Sequence, residues 1–150
     1  MHSRIIHLVE DPQEEGYIGE ERLFEWLNGR GVDYVVEMKD NSEAYDFLKD
    51  IGEIEEDVLK VDVEKVDNLL LEDYLKFQKL TNEMDFTNFK DSYKIHELQR
   101  LLEDDLGLYI YTDYAGLITW QYFLRMVLMQ HDRSPELLEW HIGEMYDYHF

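Results

Sequence analysis

Between Glu64 and Leu80 apolar side chains return at helical spacing: Val66, Leu70, Tyr74 and Phe77 follow at steps of four, four and three, with Leu69, Leu71, Leu75 and Leu80 alongside. Residues so spaced share one face of a 3.6-residue turn, which predicts a long helix with Val66, Leu70, Tyr74 and Phe77 inward. The same turn leaves Glu64, Asp67, Glu72 and Asp73 on the wet side.

Around this segment, short β-rich runs alternate with further helical patterns. Arg4–Val9, Asp33–Lys39, Val58–Val63 and Leu108–Thr112 read as strands. Glu20–Asn28 reads as a helix with Leu23, Phe24 and Leu27 toward the core, Trp26 at the margin, and Gly29 and Gly31 as its stop. A second helix follows an Asn41 or Ser42 cap, carries Ala44, Tyr45, Phe47, Leu48 and Ile51, and is expected to end at Gly52. Lys94–Leu106 and Leu117–Met129 have helical patterns. Ser134 and Pro135 are placed as N-cap and first residue of a final helix that would pack Leu137, Leu138, Trp140, His141 and Met145. Asp11–Gly19 reads as a loop, Thr81–Phe89 as a connection and Asp113–Gly116 as a turn.

This order predicts an α+β or mixed α/β fold: a small mixed sheet covered by about five to six helices, with a predominantly helical domain as the alternative. One compact acidic domain is expected over residues 1–150, since no linker, repeat or break in composition divides the chain. With 45% apolar and 14% aromatic residues, it has enough apolar surface to offset the ordering entropy of a folded chain.

Several chemistries are excluded or left without a signature. There is no cysteine, so disulfides, thiolate catalysis and cysteine-ligated metals are absent. A cytoplasmic location is expected, because residues 1–10 lack the core of a signal peptide and Leu117–Met129 is interrupted by Thr119, Gln121 and Arg125. Gly29, Arg30 and Gly31 do not extend into a phosphate-binding motif, and Ser3, Ser42, Ser92 and Ser134 lie in no nucleophile elbow. His141, Glu144 and His149 form the one local group worth inspecting for a transition metal, but no H-E-x-x-H or EF-hand spacing occurs. No cofactor, no metal and no catalytic residue is assigned.

Charge is the strongest global feature: 35 acidic against 14 basic residues give -21. Residues 1–75 hold 22 acids and 7 bases, and Asp40–Asp73 alone holds 13 acids and three lysines, a net of -10. Such a field repels a phosphate backbone, so no direct nucleic-acid binding is expected, and it attracts cationic surfaces. The leading expectation is a noncatalytic acidic binding or inhibitory module for a basic protein surface, such as the nucleic-acid-binding face of a nuclease. An immunity protein would fit the same field. Where exposed, the tyrosines beside acids, Tyr45 with Asp46, Tyr74 with Asp73 and Tyr146 with Asp147, would add aromatic contact. The expected binding residues are Glu53, Glu55, Glu56 and Asp57, presented from a turn, and Glu64, Asp67, Glu72 and Asp73 from the long helix. A small hydrolase or metal-assisted enzyme with a nonlocal carboxylate site is the enzymatic alternative. A structural homo-oligomer, acidic for solubility, is the third.

Overall fold

The computed structural model describes residues 2–13, 16–28, 31–90, 92–103, 107–133 and 138–149. Among them seven strands form one mixed sheet: β1 (His2–Val9), β2 (Tyr34–Glu37), β3 (Gly52–Glu55), β4 (Val58–Val61), β5 (Leu108–Thr112), β6 (Gly116–Thr119) and β7 (Glu139–His149). Six helices accompany it: α1 (Glu20–Leu27), α2 (Ser42–Leu48), α3 (Val63–Asn82), α4 (Phe86–Lys90), α5 (Ser92–Glu103) and α6 (Trp120–Arg133). The expected mixed α/β architecture is therefore the fold. The strands run in the order β3-β4-β7-β1-β5-β6, and β2 also pairs with β7. Only β1 and β5 are parallel.

The sheet is buried on two sides. Along β1, Ile6 and Leu8 join a cluster with Leu48, Val66, Phe123, Leu124 and Trp140, which places α2, α3 and α6 over one face. Ile5 points the other way, into a smaller cluster with Leu23 and Leu27 of α1, Tyr111, Tyr146 and Tyr148. Burial on both sides explains why the run Ile5–Val9 is almost continuously apolar instead of alternating.

The largest correction concerns the end of the chain. Trp140, His141 and Met145 do not lie on a helix, because residues 139–149 are β7, hydrogen-bonded to β1 along most of its length. The register of β7 is irregular: Leu8 faces Ile142 and Ile6 faces Met145, so β7 advances three residues while β1 advances two. That irregularity breaks the alternation a sequence reader looks for. Ser134, Pro135 and Leu137 lie outside the described residues, as do Gly29, Arg30 and Leu106.

Other boundaries shift for identifiable reasons. Leu117–Thr119 belong to β6, which hairpins with β5 through Gly116 at φ 73, and α6 begins only at Trp120. The expected strand through Val63 stops at Val61, because Asp62 accepts the backbone N–H groups of Glu64 and Lys65 and caps α3. Neither the Asn41 nor the Ser42 side chain caps α2; the Asp40 carboxylate accepts the Ser42 N–H instead. Gly52 does not end α2 but opens β3, a strand absent from the sequence reading, where its missing side chain admits the Lys60 carbonyl. Thr81 and Asn82 continue α3, and Phe86–Lys90 forms the short α4. Phe24 lies largely outside the core that Leu23 and Leu27 enter.

The helix expected over Glu64–Leu80 is present as α3, yet its stripe is only partly inward. Val66 is fully buried, Leu70 and Phe77 are half-buried, and Tyr74 remains 52% exposed. Val66 joins the core cluster over the sheet, while further along α3 its neighbours are the helices α6 and α5.

Candidate functional site

The expected binding residues begin on the β3–β4 hairpin. Its two turn residues, Glu56 and Asp57, have φ of 50 and 63. Two successive left-handed residues are what a two-residue turn between right-twisted strands requires, and Asn-Gly meets that need at least cost. A glutamate in the left-handed region costs roughly 1–2 kcal/mol relative to glycine, whereas an aspartate, with its short polar side chain, is better tolerated there. Asp57 is held on both sides: its carbonyl accepts the Ile142 N–H at 2.8 Å, and the Tyr45 hydroxyl donates to its carboxylate. Glu56 is exposed and, among the described residues, its side chain has no hydrogen bond or ion pair.

The other acids divide among different surroundings. Glu53 and Glu55 on β3 share a shallow concavity of about 510 Å³ with Lys49, Lys60 and Lys65, and Lys60 pairs with Glu55 at 3.3 Å. All three lysines of the Asp40–Asp73 segment thus gather beside two of its acids. Glu64 and Asp67 are exposed on the first turns of α3. Glu72 and Asp73 line a cleft between α3, α5 and α6, where Asp73 accepts a hydrogen bond from Gln121 at 3.1 Å. The eight acids do not converge on one point.

Burial, followed by the hydrogen bond to Asp57 and its charge, pushes the Tyr45 phenol up to about 12. The folded chain therefore keeps this proton above the ordinary value of 10.0, where an unfolded tyrosine releases it. The associated stabilisation is complete below about pH 10 and is lost as pH rises toward about 12. Urea midpoints should fall across that interval, and Tyr45→Phe should make the fall shallower; an identical slope in the variant would remove Tyr45 as its source.

A second group of polar residues, not anticipated from the sequence, lies beside α1. His7 of β1 is 1% exposed, and its Nδ1 is 2.7 Å from the Glu144 carboxylate of β7. The irregularity in β7 places Gly143 against this ring, leaving a Cβ only 3.2 Å from Nδ1 and the His7 carbonyl. Tyr17 donates to Glu37, and that bond, burial, and the charges of Glu37, Glu20 and Glu144 raise its pKa. Burial and then Glu144 likewise raise that of Tyr146. Both shifts keep the phenols protonated; Tyr17 donates to Glu37, while the Tyr146 hydroxyl is buried without a hydrogen-bond partner among the described residues. No local signal could have found this group, since His7, Tyr17, Glu37 and Glu144 meet only through the sheet and the loop before α1.

The metal group considered from the sequence is dispersed by the same strand. His141 is exposed and opposite Val58, Glu144 pairs with His7, and His149 pairs with Asp33 at 3.0 Å. Among the described residues, no three His, Asp or Glu side chains are disposed to hold a metal ion, and no helix is long and apolar enough to cross a membrane. Comparison of the chain with protein-family models, curated proteins and solved structures finds no match.

Proposed function

We propose that the chain is a noncatalytic acidic binding or inhibitory module for a basic protein surface, such as one that itself binds nucleic acid. The observation that carries this reading is the β3–β4 turn: Glu56 occupies a left-handed position that glycine or asparagine would fill with less strain, it is exposed beside the left-handed Asp57, and it has no internal partner among the described residues. Strain retained at an exposed turn is a pointer to function. The net charge of -21 supplies a long-range attraction toward cationic surfaces, and Glu53, Glu55, Glu64 and Asp67 are exposed on the flanking strand and helix.

The test starts with the chain immobilised and its native extract applied at low and at moderate salt. A basic protein should be retained at low salt and released as salt rises. The purified partner then allows comparison with a chain carrying Glu55→Gln, Glu56→Gln and Asp57→Asn. Glu56→Gly serves as a second variant, because it relieves backbone strain and removes one charge without disturbing Asp57. It should fold at least as stably as the parent and still associate more slowly.

The enzymatic alternative has one observation in its favour, the buried His7 held by Glu144 near Tyr146, Tyr17 and Glu37. The upward tyrosine shifts weigh against a nucleophilic role for those phenols. An activity abolished by His7→Gln, with the variant's fold and partner binding intact, would favour the enzyme.

A further inference from the structure

Away from the β3–β4 turn, the helices carry an exposed apolar surface. The 20 residues of α3 span about 30 Å, yet Val66 is its one fully buried side chain. On the other side of the helix Leu71 and Leu75 are 50% and 54% exposed, flanking Tyr74 at the three- and four-residue spacing of a single stripe. Tyr74 also borders a groove of about 310 Å³ between α3, α5 and α6, whose apolar lining includes Leu70, Phe77, Leu101 and the exposed Leu102.

Two features identify what covers this surface. The polar groups of the groove already satisfy one another: Gln121 donates to Asp73 and to the Leu101 carbonyl, both at 3.1 Å, and accepts from Arg125. The occupant therefore needs apolar area rather than a matching polar group. The second feature is charge. Across α3, α5 and α6 seven acidic and seven basic residues cancel, so the net charge of -21 resides elsewhere in the chain. A cationic partner gains no pull here, whereas a second copy of a strongly acidic chain meets its least repulsion here. At about 10 Å of width each, the roughly 30 Å of α3 and roughly 18 Å of α5 offer roughly 500 Å² per copy, or about 1,000 Å² in total, the size of a small, weak dimer interface.

We propose that this face joins two copies of the chain, α3 against α3, with Tyr74, Leu75 and Leu102 at the centre. The contact is independent of the β3–β4 turn and responds to salt with the opposite sign. Screening weakens the attraction of an acidic module for a basic partner, but it relieves repulsion between two acidic chains and tightens the dimer.

Sedimentation equilibrium from about 1 to about 100 μM, in roughly 0.05 and 0.5 M NaCl, tests this directly. The mass should rise from the 18.2 kDa of one chain toward twice that value, with tighter association at the higher salt. Leu75→Glu and Tyr74→Lys, of opposite charge, should each weaken the dimer at least about tenfold, since both remove apolar contact. Hydrogen exchange on the unaltered chain supplies a readout free of any folding defect: amides of residues 71–78 should slow as concentration rises. A single-chain mass throughout the range, a dimer that loosens with salt, a dimer unmoved by both substitutions, or concentration-independent exchange across 71–78 would overturn the proposal.

Discussion

Replacing Trp140 with alanine is expected to remove about 3–5 kcal/mol of folding stability, the range for deleting a large aromatic from a packed core. The residue lies in the middle of the sheet, paired with Leu59 of β4, and is 2% exposed, with its ring edge-to-face on Phe123 at a centroid distance of 5.4 Å. Its indole N–H is buried without a hydrogen-bond partner among the described residues. Trp140→Phe should therefore be much milder, about 1–2 kcal/mol, because it removes an unsatisfied donor along with some packing volume. His141, next in sequence, is exposed, and His141→Ala should change stability by less than about 0.5 kcal/mol. Urea unfolding of the three variants checks the set. A loss below about 1 kcal/mol in Trp140→Ala, or comparable losses at both positions, would contradict the strand.

A valine at position 52 should be nearly as damaging, at about 3 kcal/mol, because the site lacks room even for a methyl group. A Cβ there would lie 2.1 Å from the Lys60 carbonyl oxygen, 2.9 Å from its carbon and 3.0 Å from the Val61 Cα. All three are backbone atoms of the paired strand, so relief requires the β3–β4 hairpin to separate. Gly16 provides the internal control, since a Cβ at that position meets nothing within 4 Å. Gly16→Ala should be neutral or mildly stabilising through its effect on the unfolded chain. Thermal unfolding that leaves Gly52→Val as stable as the parent would reduce Gly52 to an ordinary link between helix and strand.

These two positions also mark where the fold could and could not be read in the sequence. The long helix, the strand Leu108–Thr112 and the first strand announce themselves through spacing or local β-rich composition. The helix at α3 was legible as an element, but not in which of its residues are inward, because α6 and α5 are the later helix neighbours and only tertiary structure supplies them. β7 carries no strand signature in the sequence, because Gly143 and Glu144 interrupt its alternation while Ser134 and Pro135 have the pattern of a helix start. β3 was missed because Gly52-Glu53-Ile54-Glu55 has one large apolar residue, and its identity as a strand comes from pairing with β4. For the candidate site, sequence located the acids but could not foresee that Lys49, Lys60 and Lys65 gather beside Glu53 and Glu55. Nor could it reveal the left-handed conformations of Glu56 and Asp57, which arise from the hairpin geometry.

The association rate constant between the chain and its captured basic partner, followed by stopped flow from roughly 0.05 to 0.5 M NaCl, tests the proposed role most directly. The parent chain should associate fastest at low salt and slow steeply as salt rises. Glu55→Gln, Glu56→Gln and Asp57→Asn together should reduce the low-salt rate about tenfold or more, bringing it close to the parent's high-salt value. Neutralising Asp132 and Glu136, away from the turn in sequence, should have a smaller effect. A rate insensitive to salt, or equal small losses from both sets in folded chains, would contradict a binding role for the turn and leave its acids as solvated surface.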